Sequence, residues 1–105
     1  MFTKIAIATS FAALITSNAA ATEMPDLARK HQCVNCHMIE KQFVGPAWQD
    51  VANKYKGDAE APARLIAKIA AGGKGVWGPI PMPDNPQVSE ADRTELVAFI
   101  LGLAR

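Results

Sequence analysis

The sequence predicts an all-α domain of about four short helices, and three observations support this. Residues 22–105 are rich in alanine and other helix formers and contain few runs of β-branched residues. Apolar residues recur at helical spacing, most clearly at Leu96, Phe99, Ile100 and Leu103. No segment has the pattern of a strand with a partner, so a fold built around a sheet is not expected.

Each predicted helix has recognisable boundary residues. Pro25 suits the first position of a helix, because its missing N–H would have no partner there. Gly72 and Gly73 form a stop signal for the third helix, and Ser89 is a good N-cap for the fourth, with Asp92 in the capping-box position. The predicted helices span residues 25–32, 47–55, 62–71 and 90–103. Residues 75–86 contain four of the seven prolines and predict a stiff, extended loop.

The first 21 residues have the three-part layout of a secretory signal peptide. A single positive charge at Lys4 precedes an apolar run over residues 5–15, and small residues follow up to Ala21. The apolar run is shorter than the ~20 residues that a membrane-spanning helix needs, and no later stretch approaches that length. Cleavage after residue 21 of 105 would leave one domain of 84 residues, Thr22 to Arg105, with no transmembrane span.

The charge and the size of this domain restrict its function. Without Lys4 it has 10 basic and 10 acidic side chains, and therefore a formal net charge of zero. Nucleic-acid binding is not expected, because it requires a strongly basic face. A chain of this length is marginally stable without a disulfide, metal, cofactor or partner, so the sequence should contain such a support.

The two cysteines belong to one motif, Cys33-x-x-Cys36-His37. The favoured interpretation is covalent haem, with thioether bonds at both cysteines and His37 as an iron ligand. A thioredoxin-like redox pair would need a βαβ context, for which the chain offers no strands. A closed zinc site would need about four ligands, and the sequence has only one further histidine, His31. The redox pair and the zinc or disulfide site remain as weaker alternatives.

Several residues could supply the second iron ligand. Met38 adjoins His37 and cannot reach the opposite side of a haem, and His31 is expected to be a solvent-exposed helix residue. Nothing in the sequence fixes Met24. Met82 lies 45 positions beyond His37 and between two prolines, so we predict that it is the ligand. A neutral thioether favours Fe(II), and an iron with both axial positions filled would transfer electrons rather than activate a substrate.

Three strings of the sequence resemble the small bacterial class I cytochromes c, above all the periplasmic cytochrome c-551/c-552 group: residues 33–37, 44–47 and 75–83. The resemblance extends over essentially all of residues 22–105. It implies a class I cytochrome c fold, with about four short helices wrapped around one covalently attached haem c. It also implies a periplasmic electron carrier that serves a reductase, oxidase or peroxidase of a respiratory chain, and we expect a monomer.

The resemblance implies roles for further residues. The Pro46 carbonyl should accept a hydrogen bond from Nδ1–H of His37, and the Trp77 indole should donate to a haem propionate. Lys68 matches a basic position near the propionates, and Asn85 matches an asparagine that holds the ligand loop and points toward the ligand sulfur. Where relatives often have a second proline after the ligand loop's Met-Pro, this sequence has Asp84.

Two further expectations concern the exposed haem edge and the alternative functions. An apolar patch around the edge is expected to comprise Val34, Ile80, Pro81 and Pro83. A haem enzyme or gas sensor would need a vacant iron position, which ligation by Met82 argues against. A haem c subunit bound tightly within a larger oxidoreductase complex remains the alternative function.

Overall fold

The computed structural model describes residues 1–15 and 21–105 and contains four α-helices. These are α1 (Asp26–Lys30), α2 (Trp48–Lys54), α3 (Ala61–Ala71) and α4 (Glu90–Leu101), with one 3-10 turn at Cys33–Asn35 between α1 and α2. The described ranges contain no strand, only an isolated antiparallel bridge that pairs Gly73 with Met82. The prediction of an all-α domain is therefore confirmed.

All four predicted helices are present, and three of them are shorter than predicted. α1 stops early because Gln32 adopts a left-handed conformation, with φ of 61°, and turns the chain toward the cysteines. Ser89 is the N-cap of α4 as predicted, and its hydroxyl accepts the backbone N–H of Asp92 at 3.1 Å. The Asp92 carboxylate bonds to another helix and does not complete a capping box.

The core forms where α4 packs against the other helices, most extensively α3 and α2. Leu96 and Ile100 of α4 share this core with Trp48 and Val51 of α2, and all four side chains are buried. The Trp48 ring packs edge-on against Phe99, with ring centroids 6.0 Å apart. A cavity lies beside this core and is lined in part by residues of α3.

His31 connects α1 to α4. Its Nε2–H donates to the Asp92 carboxylate over 2.8 Å, and only 9 % of the His31 side chain is exposed. The expectation that His31 would be a solvent-exposed helix residue is therefore wrong. The physical reason is that α1 ends at Lys30, so that the chain turns His31 inward onto the first turn of α4.

Residues 1–15 have no regular secondary structure. Their apolar side chains are largely exposed; Ile5 is 84 % and Phe11 is 94 % exposed. The first two alanines of the predicted cleavage site, Ala19 and Ala20, lie outside the described residues. Within residues 1–15 and 21–105, no helix is both long and apolar enough to cross a membrane.

Candidate cofactor site

One cavity of about 440 Å³ lies between the cysteine segment and the proline-rich loop. All eight residues singled out from the sequence line it: Cys33, Cys36, His37, Pro46, Lys68, Trp77, Met82 and Asn85. Much of the remaining lining is apolar and comes from α2, α3 and α4: Val51, Leu65, Ile69, Leu96, Val97 and Ile100. The fold thus brings together eight predicted residues that are up to 52 positions apart in the sequence, from Cys33 to Asn85.

The 3-10 turn brings the two cysteines and the following histidine to the same wall of the cavity. The carbonyl of Cys33 accepts the backbone N–H groups of Cys36 at 3.1 Å and of His37 at 2.9 Å. Both cysteines are partly buried free thiols. Burial raises the pKa of the Cys33 thiol, against a smaller lowering by a backbone hydrogen bond.

The His37 imidazole is held by one backbone hydrogen bond, as the resemblance implied. Its Nδ1–H donates to the carbonyl oxygen of Pro46 at 2.8 Å, which leaves Nε2 as the basic nitrogen. Burial lowers the pKa of His37, and the hydrogen bond to Pro46 opposes this shift. The imidazole is therefore neutral at pH 7, the form that binds a metal ion.

Gly45 allows the Pro46 turn to approach this imidazole closely. A Cβ atom at Gly45 would lie 2.6 Å from Cε1 of His37, closer than any side chain tolerates. The backbone N–H of Gly45 also donates to the carbonyl of Cys36 at 2.8 Å, which ties the turn to the cysteine segment. On the far side, the Trp48 ring lies 5.7 Å from the His37 ring, centroid to centroid. The imidazole thus has little freedom to rotate.

The segment with Met82 is fastened to the end of α3. The backbone N–H of Met82 donates to the carbonyl of Gly73 at 2.8 Å, and the Met82 carbonyl accepts from the backbone N–H of Gly73 at 3.0 Å. The Asn85 amide donates to the carbonyls of Ile69 and Pro83, both at 3.2 Å. These two bonds agree with a loop-holding role for Asn85, and a bond to the Met82 sulfur stays a prediction.

Two lysines lie close to residues 73–77 of the loop that follows α3. The Nζ atom of Lys54 lies 5.6 Å from the centre of the Trp77 ring, and Lys68 Nζ packs closely over the Cα atom of Gly73. Lys54 was missed in the sequence analysis, because nothing in its spacing links α2 to Trp77. A cationic end of an otherwise apolar cavity suits a large apolar group with carboxylate substituents.

The residues present fit a covalently attached haem. They supply two thiols, a neutral imidazole and a thioether around a largely apolar cavity with a cationic end. The model of one protein family, described as cytochrome c, matches residues 21–104. The chain belongs to the cytochrome c family. Covalently attached haem c is therefore its cofactor, and the disulfide and zinc interpretations of the two cysteines no longer apply.

Comparison with individual relatives shows which cytochromes c this chain is similar to. It is 49 % identical over 94 residues to cytochrome c-551 of Allochromatium vinosum, covering 90 % of this chain and 99 % of that one. It is 49 % identical over 78 residues to cytochrome c-552 of Nitrosomonas europaea, covering 74 % and 76 %. The crystal structure of that wild-type cytochrome c552 superposes with a TM-score of 0.73, over 74 % of this chain and 96 % of the other. The chain is a small class I monohaem cytochrome c that transfers electrons.

The apolar rim of the cavity differs in one position from the expected patch. Ile80, Pro81 and Pro83 line the cavity and are exposed, and the Ile80 side chain is 61 % accessible. Val34 instead packs, partly buried, against the core. It is not among the residues that line the cavity, and it lies outside the exposed rim because it packs against the buried core. Val76, which is 55 % exposed, extends the rim on the other side.

Proposed function

We propose that this cytochrome is a periplasmic electron carrier that shuttles single electrons between redox proteins of a respiratory chain. His37 and Met82 are the proposed axial ligands of the haem iron, and Cys33 and Cys36 the sites of its covalent attachment. The observation that supports this assignment is that one cavity is lined by both thiols, an imidazole whose Nδ1 is already bonded, and a methionine fixed by its backbone.

The surrounding residues suit reversible electron transfer rather than substrate chemistry. When bound, haem c supplies one-electron oxidation and reduction at its iron. The hydrogen bond from His37 to Pro46 fixes the orientation and raises the basicity of the imidazole. The thioether of Met82 is a neutral ligand that favours the reduced state. The apolar lining keeps water away, and the Trp77 indole and Lys68 are available to bind the propionates.

The periplasmic location is proposed from the N-terminal segment together with the cofactor. Residues 1–21 have the layout of a signal peptide, and the described apolar side chains of residues 5–15 are almost entirely exposed. Haem attachment to such motifs takes place outside the bacterial cytoplasm, which agrees with an exported chain. The proposed mature protein is a monomer of residues 22–105, and its partners are other periplasmic redox proteins such as a reductase, oxidase or peroxidase.

The optical spectrum of the purified protein tests the ligand assignment. In the oxidised wild type we expect the weak sulfur-to-iron charge-transfer band at the red end of the spectrum. Met82→Ala should abolish this band and leave the haem attached, because the thioether bonds at the cysteines do not depend on Met82. Met38→Ala is the matched control, since that methionine is adjacent to His37 and 44 % exposed, and it should leave the band unchanged. If the band persists in Met82→Ala, another residue is the ligand, with Met24 the first to examine.

A further inference from the structure

The C-terminal end of α3 and the loop with Met82 are joined backbone to backbone. α3 ends at Ala71, and Gly72 has φ of 68° and ψ of −164°, which redirects the chain out of the helix. Gly73 and Met82 then exchange two hydrogen bonds, at 2.8 and 3.0 Å. Three positions after Met82, the backbone N–H of Asn85 donates to the carbonyl of Ala70 at 3.1 Å, so the loop caps the last turn of α3.

Because Met82 lies between two prolines, the contact between the loop and the end of α3 depends strongly on the backbone of Met82. Neither Pro81 nor Pro83 has a backbone N–H, so Met82 is the only backbone donor among the three residues. That single donor is bonded to Gly73. The position of the Met82 backbone is thus set by the Gly72–Gly73 segment, rather than by bonds within its own loop.

Gly72 lies in direct contact with the backbone of the Met82 loop. A Cβ atom at Gly72 would be 2.4 Å from the carbonyl oxygen of Met82, 2.7 Å from the carbonyl carbon of Pro83 and 2.8 Å from the nitrogen of Asp84. All three are backbone atoms, which cannot move away by a change of rotamer. Because ordinary contact begins at about 3.4 Å, a methyl group would require the loop to move by about 1 Å.

We propose that Gly72 is a positioning residue for Met82. Its missing side chain lets the ligand loop lie directly against the end of α3, and this contact determines whether the Met82 sulfur reaches the iron. The inference rests on the proposed function, in which Met82 is an axial ligand. Gly72 does not line the cavity, and the atoms nearest to its missing Cβ are backbone atoms of residues 82–84, so it would act through that backbone.

The matched pair of variants is Gly72→Ala and Gly57→Ala, both in the haem-loaded protein. Gly57 lies in the turn after α2 and, like Gly72, has a positive φ, of 78°, so alanine is strained at either position. No atom lies within 4 Å of a Cβ at Gly57, whereas Gly72 meets the ligand loop. Both variants therefore place an alanine at a positive φ, and only Gly72→Ala puts a methyl group against the ligand loop.

Imidazole binding to the oxidised protein measures that displacement. Imidazole can bind the iron only when Met82 has left, so its apparent affinity is proportional to the fraction of molecules with the loop open. We expect Gly72→Ala to raise this affinity by about tenfold or more and to weaken the sulfur-to-iron band. Gly57→Ala should bind imidazole within about twofold of the wild type and keep its band. Equal imidazole affinities in the two variants would overturn the inference.

A second measurement uses the wild type, in case Gly72→Ala does not fold. The amide protons of Gly73 and Met82 in the reduced protein should be protected from hydrogen exchange to the same degree, because both bonds open together. Exchange of either amide at the rate of an unstructured peptide would overturn the inference.

Absence of the sulfur-to-iron band from the wild type would refute the proposed function as well. Presence of that band with similar behaviour of the two glycine variants would refute only the role of Gly72.

Discussion

His31 and Asp92 lie 61 positions apart and are joined by a hydrogen bond of 2.8 Å between Nε2 and a carboxylate oxygen. The bond connects the end of α1, next to the first cysteine, to the first turn of α4. The Asp92 side chain is 25 % exposed, and Lys30 lies 4.0 Å from the same oxygen but is mostly in solvent. Of these two contacts to Asp92, the one from His31 is therefore less screened by solvent.

This bond should be measurable by a double-mutant cycle in denaturant unfolding. We expect a coupling free energy of about 1 kcal/mol between His31→Asn and Asp92→Asn, because a charge-assisted hydrogen bond away from water is stronger than an exposed ion pair. Lys30→Gln is the control and should change the free energy of unfolding by less than about 0.5 kcal/mol. Additive effects of the His31 and Asp92 substitutions would show that the bond contributes nothing.

Replacement of Trp48 should have a large effect on stability. The side chain is only 4 % exposed and contacts both the His37 imidazole and Phe99. Trp48→Ala should lower the free energy of unfolding of the oxidised holoprotein by about 3 kcal/mol or more, since it leaves a cavity beside the cofactor. Phe43→Ala removes an aromatic ring that is 56 % exposed and should cost less than about 1 kcal/mol. A similar loss in both variants would contradict this account of the core.

Electron exchange between two copies of the protein should depend on the apolar rim of the cavity. Ile80→Lys places a charge in that rim, and like charges on two approaching copies repel each other. We expect the self-exchange rate, measured by NMR line broadening at low salt, to fall by about tenfold while the reduction potential stays unchanged. Ala91→Lys adds the same charge on an exposed position of α4 outside the cavity lining and should change the rate much less. An unchanged rate in Ile80→Lys would mean that electrons leave through another surface.

Intact-mass spectrometry should show both the processing and the cofactor. Expressed in a bacterial host with a cytochrome maturation system and recovered from its periplasm, the protein should begin at Thr22 and have the mass of residues 22–105 plus one haem. Cys33→Ala with Cys36→Ala should give the same N-terminus and lose the added mass, because both attachment points are gone. A wild-type mass equal to that of the bare 84-residue chain would contradict covalent attachment.

Local sequence signals predicted the helices well. Ser89, Gly72 and the helical spacing of Leu96 and Ile100 act within one element, and the structure shows α3 and α4 close to the predicted positions. The motif of Cys33 to His37 and the segment around Met82 each have a chemistry of their own. If both segments bind the same cofactor, they must lie in one cavity, and the structure places them in one.

Contacts between distant elements could not be predicted in the same way. The approach of His31 to Asp92 depends on how α1 crosses α4, and the helical spacing within α1 gives no information about that crossing. Val34 was wrongly expected at the rim. An apolar residue beside a cysteine suits either the core or the surface, and only its tertiary contacts decide between them. At Gly72 the sequence indicated a helix stop, but the close approach of the Met82 backbone depends on tertiary structure.

The pairing of α1 with α4 has a consequence for the order in which the molecule can fold. α1 has only five residues, far below the ~12–15 at which an isolated helix becomes even marginally stable in water. Its packing surface and the partner of His31 are both provided by α4, near the other end of the chain. We therefore expect Cys33 and Cys36 to lie in an unfolded segment until α4 has been synthesised. The attachment motif would then stay sterically accessible until α4 packs against α1.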